Sequence, residues 1–273
     1  MTLNNVLICE TAMGRQLLLC ALACAGAAAP AFAHFNIVLP ATPSAKRGEA
    51  VTFIYQWGHP YEHELFDAPK PEKLNVLFPD GETHKDLTST LEKVQGAGGD
   101  GKPVTSWRFS FTPQQRGDHA FFLQTPPIWM EESREFVQDI VRVTLHVQTQ
   151  NGWDIDTGEG FRLTPLTRPY GLLPGMVFQG RLLRDKIDDG LEEISPHIQI
   201  ERYNAAPPKE LPADELITFR TRYDPNGVFT FAFPEAGWWS FTAERAAGLH
   251  ERKGKEYPLR QRLTMWVHVE AKN

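Results

Sequence analysis

The chain has 273 residues, 41% hydrophobic and 23% charged, with a formal net charge of −6. That length suits one large domain or two of ordinary size, and the composition excludes an intrinsically disordered chain. The acidic balance gives no electrostatic reason to hold nucleic acid or an anionic membrane, and it suits a surface that attracts cations.

The first predicted element is an export signal. Arg15 precedes an apolar stretch from Leu17 to Ala29, followed by Pro30 and Ala31-Phe32-Ala33. A positive start, a short apolar run and an A-x-A ending predict cleavage after Ala33, so that residues 1–33 leave and His34 heads an exported, periplasmic chain. The run is too short, and too interrupted by Gly26 and Pro30, for a membrane anchor. Met13, just before Arg15, is an alternative start, and Ala21-Leu-Ala23 ahead of Cys24 fits a lipobox poorly. All three cysteines (Cys9, Cys20, Cys24) fall in the removed segment. A metal site in the remaining chain must therefore use nitrogen and oxygen ligands.

Past His34 the apolar residues come in short, partly alternating runs. Val51–Trp57, Ser106–Phe111, His119–Leu123 and Ile140–Val147 read as strands. Gly96–Gly101 reads as a flexible surface loop, and Trp129–Val137, with Glu131, Glu132 and Glu135, as the one short helix. A boundary is expected between Asn151 and Pro165. A second strand series follows: Met176–Leu183, His197–Tyr203, Leu216–Arg222, Val228–Phe233, Trp238–Glu244 and Arg262–Val269. Asp224-Pro-Asn-Gly227 marks a tight turn in this series. The expected fold is all-β, two tandem β-sandwiches of immunoglobulin-like or transthyretin-like type, at 34–155 and 160–273.

Three features could carry chemistry. Cleavage would give His34 a free α-amine, which with its imidazole Nδ1 can chelate one metal ion. Asn36 stands where the amine–amide–imidazole copper motif needs histidine, so that motif is absent. Directly after a predicted strand, Trp57-Gly-His-Pro-Tyr-Glu-His-Glu-Leu-Phe-Asp67 crowds His59, Glu62, His63, Glu64 and Asp67 into one loop. Imidazole with carboxylate and no thiolate suits Ni, Co, Cu or Zn. His59 leads because Gly58 and Pro60 fix its direction, whereas His63 need not point the same way. The alternative reading is a polar loop with a structural histidine.

The third feature is the scatter of His84, His119, His146, His197, His250 and His268, whose spacing matches no metalloenzyme signature. His146 and His268 read as packed or solvent-facing, and His250 as part of a mobile loop, Gly248–Lys255, able to reach a site at a domain edge. Asp154, Asp156 and Glu159 form a solvated linker rather than a calcium loop. Trp238-Trp239 and Phe229–Phe233 read as core. Nucleophile-elbow, P-loop and dinucleotide-binding patterns are absent, so no enzyme activity is expected.

Taken together, Ala33-His34, Trp57-Gly-His-Pro-Tyr-Glu62, Pro165-Leu-Thr-Arg-Pro169 with Leu173-Pro-Gly175, Gly227–Phe233 and Gly237-Trp-Trp239 resemble a periplasmic family of unknown function. Its members carry the description nickel uptake transporter family protein, accessory components of energy-coupling-factor nickel or cobalt importers. The resemblance covers the whole chain after the signal. It implies a periplasmic divalent-metal binder that assists uptake of nickel or cobalt, with Ni(II) as the leading cargo; Cu(II) and Zn(II) stay open on the donor chemistry alone. It places the ligands at His34 and His59, with Glu62 a weaker one, and implies membrane components of an importer as partners. His63 joins the candidate ligands by proximity, and the C-terminal module, from about Leu163, reads as structural or partner-docking. Two other functions stay open: an N-terminal-histidine copper protein, chaperone or oxidative enzyme, and a metal-free scaffold of interaction modules.

Overall fold

The structure is a computed structural model that describes residues 34–98, 101–156, 160–183 and 195–272. The expected signal peptide, its three cysteines and the alternative start lie outside the described residues. So do the middle of the Gly96–Gly101 loop and Glu159. The residues His34–Asn273 form one compact unit. Among the described residues there are eighteen strands, two short 3-10 turns and no α-helix, so the all-β expectation holds. No helix among them is long and apolar enough to cross a membrane.

Alternation built the first strands. Val51–His59 hides every second side chain through Val51, Phe53 and Tyr55, the period of a half-buried strand. It pairs with Phe35–Pro40 on one edge, and with Pro103–Phe111 and then Glu64–Phe66 on the other. Glu92–Ala97 completes this five-stranded sheet. The ring of Phe53 stacks on Phe109 at 4.6 Å and meets Phe121 of the opposing sheet at 4.4 Å, which locates the first core.

The opposing sheet has ten strands. Its order runs Thr218–Arg222, His197–Arg202, Gly237–Arg252, Lys255–Val269, Glu135–Val147, Gly117–Gln124, Lys73–Leu77 and His84–Asp86. Ile128–Met130 and Ser44–Ala45 pair onto Glu135–Val147. A parallel ladder, Phe136↔Leu259 through Val143↔Trp266, runs across the expected boundary and joins the two strand series within one sheet. A three-stranded sheet of Arg162–Pro165, Val177–Leu183 and Val228–Ala232 makes the second core with the other end of the large sheet. There Phe178 meets Phe241 at 4.8 Å, and Phe229, Phe233 and Trp239 are buried as expected.

Two local expectations are corrected. Trp129–Val137 is not a helix: it is a hairpin in which Ile128–Met130 pairs with the start of Glu135–Val147, turning through Arg134 at φ 54°. Trp129 packs against Phe136 and Tyr257 at 5.2 and 4.8 Å, and this packing overrides the helical preference of the glutamates. His250 is not in a loop. Gly237–Arg252 and Lys255–Val269 form one long hairpin, with a register shift between Ala246 and Leu249, and the His250 ring sits 4.5 Å from Phe136.

Candidate metal centre

Register brings the two leading histidines together. Phe35 faces Gly58 across the ladder, so His34, one residue earlier, comes level with His59. On the other edge of the same strand His59 faces Glu64 and Trp57 faces Phe66. Cross-strand neighbours share a sheet face. The result is a line of His34, His59 and Glu64, with two aromatic rings beside it.

The distances follow. The rings of His34 and His59 lie 4.9 Å apart. His59 Nδ1 sits 3.2 Å from Glu64 Oε2, so the carboxylate orients that ring, as carboxylates orient metal-bound imidazoles elsewhere. Trp57 and Phe66 each approach His34 at 5.1 Å. His34 Nδ1 is buried and has no hydrogen-bond partner, an arrangement that costs free energy unless a ligand satisfies it. Burial first, then the charges of His59 and Arg262, push the His34 imidazole down to about 4. The ring is therefore neutral at pH 7, the form in which imidazole binds metals.

Gly58 makes this closeness possible. Its φ is 154°, and a Cβ there would stand 2.1 Å from the backbone oxygen of Glu64. Asn36 fixes the incoming strand: its carbonyl accepts the Trp266 indole N–H at 3.1 Å and its side chain accepts the Tyr55 hydroxyl. Nearby, Arg262 holds buried Asp139 through two bonds of 2.8 and 2.9 Å.

Glu62 and His63 go elsewhere. His63, at φ 53°, donates from Nδ1 to the Asn204 carbonyl at 2.8 Å, with its ring 5.8 Å from Tyr203. The structure therefore directs it to the 203–204 segment rather than to His59. The buried Glu62 Oε2 has no hydrogen-bond partner, and Glu62 lies close enough to Glu201 to raise that carboxyl. Segment 60–63 is itself pinned. Glu201 accepts the Tyr61 N–H at 3.2 Å, Asn204 donates its N–H to the Pro60 carbonyl at 2.9 Å, and its amide donates to the Tyr61 carbonyl at 2.6 Å.

Among the described residues no group of three or more His, Cys, Asp or Glu side chains is arranged to hold a metal ion. Side chains alone supply two imidazoles, backed by one carboxylate. A third nitrogen exists only if cleavage turns the backbone nitrogen of His34 into an amine. Beside His34 opens a groove of about 570 Å³ lined by Trp57, Glu64, Phe66, Asp67, Lys102 and Val104.

Three of the other histidines are held in contacts of their own. His119 is fully buried against Phe78 and Phe111. His146 bonds buried Asp118 at 2.7 Å, and His268 sits 3.2 Å from Glu270. Sequence reasoning missed Glu201, Asn204 and Arg262 as supports of the site. Nothing in the local sequence signals a partner some 140 positions away.

Fold and site thus define an all-β sandwich protein with a two-histidine cluster at one end of its five-stranded sheet. A family model described as a domain of unknown function, DUF4198, matches residues 31–247, and the chain belongs to that family. No protein of curated function matches the sequence. Among solved structures, trypsin-activated alpha-2-macroglobulin from Escherichia coli is similar over 87% of this chain and 16% of its own, at 11% identity and TM-score 0.23. The Yersinia pseudotuberculosis adhesin InvE is similar over 84% of this chain and 58% of its own, at 12% identity and TM-score 0.22. The chain thus spans only a minor part of the first and under two thirds of the second, and scores this low establish neither shared topology nor shared function.

Proposed function

We propose that this protein is an exported, periplasmic carrier of a divalent transition metal that assists its uptake, and is not an enzyme. The observation that carries the reading is the buried, partnerless Nδ1 of His34 beside the His59 ring. With cleavage after Ala33, the amine and Nδ1 of His34 and one nitrogen of His59 give a three-nitrogen donor set. Such a set suits Ni(II) and Cu(II) above Co(II), and is poor for Mg or Ca. Nickel leads because of the resemblance noted above, and membrane components of an importer are then the natural recipients.

Isothermal titration of the secreted chain with Ni(II), Co(II) and Cu(II) tests this. Micromolar or tighter binding is expected, weakening in acid as ligands protonate. His34→Ala and His59→Ala should each lose at least about tenfold in affinity, since losing even a group that only orients a ligand costs about that much. A chain carrying one extra alanine before His34 keeps both rings and moves the amine, so it should weaken by a similar factor. Unchanged affinity in both histidine variants would end the proposal.

The groove beside His34 favours a second reading, a copper enzyme whose ion a substrate could reach across Trp57 and Phe66. Oxidation of a polysaccharide by dioxygen or peroxide in the presence of the copper-loaded protein, with ascorbate as the reductant, would select it.

A further inference from the structure

A second cavity, of about 150 Å³, lies where the large sheet meets Arg162–Pro165 of the three-stranded sheet. Phe122, Phe161, Leu163 and Leu263 give it apolar walls, and Arg142 stands among them. Phe122, Ile140 and Arg162 are half-buried, so the cavity is not sealed from solvent.

Arg142 is the unusual member. It is 4% exposed. Its guanidinium donates to the carbonyl oxygens of Trp153 at 3.0 Å and Ile155 at 3.5 Å, while its buried Nε has no partner. Among the described residues no carboxylate hydrogen-bonds to it. Asp154 and Asp156 act on it only through space, and Asp156 is bonded to Arg162 instead. Burial pushes its pKa down to about 10, which still leaves a cation at neutral pH. Its guanidinium also lies 5.6 Å from the centre of the Phe122 ring, a weak contact beside a full ion pair. A buried cation that hydrogen-bonds only neutral carbonyls is costly, and an anion bonded directly to it would offset that cost.

We infer that this cavity binds a small organic monocarboxylate, its carboxylate on Arg142 and its apolar body among Phe122, Phe161 and Leu163. Guanidinium and carboxylate make the strong, charge-assisted pair the site lacks. Arg162 also lines the cavity, but its guanidinium is bonded to Asp156; the other walls are mostly apolar and disfavour a second charge, which sets aside dicarboxylates and inorganic phosphate. For size, a cavity of about 150 Å³ lined by Leu, Ile and Phe admits benzene in an unrelated protein.

Titration of the whole secreted chain with benzoate and its neutral isostere benzamide, read by calorimetry and melting temperature, tests the site. Benzoate should bind and raise the melting temperature, and benzamide should bind roughly tenfold or more weakly for want of the charged bond. Arg142→Gln should abolish the discrimination. Because that variant removes a buried group and can misfold, Leu163→Trp provides a second arm, filling the cavity while leaving Arg142 in place. Loss of benzoate binding in a folded Leu163→Trp protein supports the proposal. Equal affinity for the two ligands, absence of benzoate binding in the wild type, or benzoate binding that survives Leu163→Trp would overturn it. Loss of benzoate binding in His34→Ala would place the carboxylate at the histidine pair and would equally overturn it.

Discussion

Replacing Glu201 by glutamine tests how the histidine-bearing loop is held. Glu201 is 4% exposed, accepts the Tyr61 N–H on one oxygen and the Thr218 hydroxyl on the other. Burial first, then the Glu62 charge, raise its carboxyl from 4.5 to about 8 against the pull of those two bonds. The folded state therefore holds a proton that the unfolded chain has released between these values. Its stabilising contribution is complete below 4.5 and fades as pH rises through about 8. The slope is about 1.4 kcal/mol per pH unit, so between pH 5 and 7.5 the wild type loses up to about 3 kcal/mol through this group. Glutamine mimics the protonated form: its carbonyl can accept from Tyr61 and its amide can donate to Thr218. Urea unfolding at pH 5, 6, 7 and 7.5 should find Glu201→Gln close to wild type at pH 5 and about 2–3 kcal/mol more stable at pH 7.5. Parallel profiles for the two proteins across this range would refute the reasoning, since they would mean that folded Glu201 is already ionised.

Gly58→Ala should cost at least about 2 kcal/mol in urea unfolding, because the new methyl would collide with the Glu64 carbonyl. It should also weaken metal binding by spreading the His59 and Glu64 strands. Arg262→Met leaves the fully buried Asp139 unpaired, with an expected loss of about 3–5 kcal/mol at pH 7; adding Asp139→Leu should recover much of it. Gly227→Ala, at φ 77° and with a Cβ only 2.0 Å from the Leu182 carbonyl, should lose more than about 1 kcal/mol by thermal or urea unfolding.

The legible parts of the fold were those with a pattern. Val51–His59 and Pro103–Phe111 alternate because one face is buried, and the Asp224–Gly227 turn showed in its residues: Asp224 accepts the N–H groups of Asn226 and Val228. Edge strands such as Glu92–Ala97 and His84–Asp86 were invisible, since they are mostly exposed and owe their conformation to a neighbour's ladder. Phe35–Pro40, with all six residues buried, shows no alternation to read. The hairpin around Trp129 and the extension through His250 were misread for one reason: long-range pairing outweighed local composition. In the site, His34 and His59 were legible as chemistry but not as neighbours. Their meeting depends on which residue Phe35 faces, and register is a property of the folded ladder.

Both histidines belong to the first strand series, yet the second series constrains them. Trp266 grips the residue two beyond His34, Glu201 and Asn204 hold the loop that follows His59, and Arg262 adds its charge to the His34 environment. The parallel ladder between Glu135–Val147 and Lys255–Val269 is what brings these supports into place. A pair of rings set by strand register alone could drift with the fraying of a strand end. Bracing from the shared sheet opposes that drift, so the spacing of the imidazoles is a property of the whole sandwich. The C-terminal strands, which among the described residues offer no ligand cluster of their own, thereby act as positioning elements for the two rings.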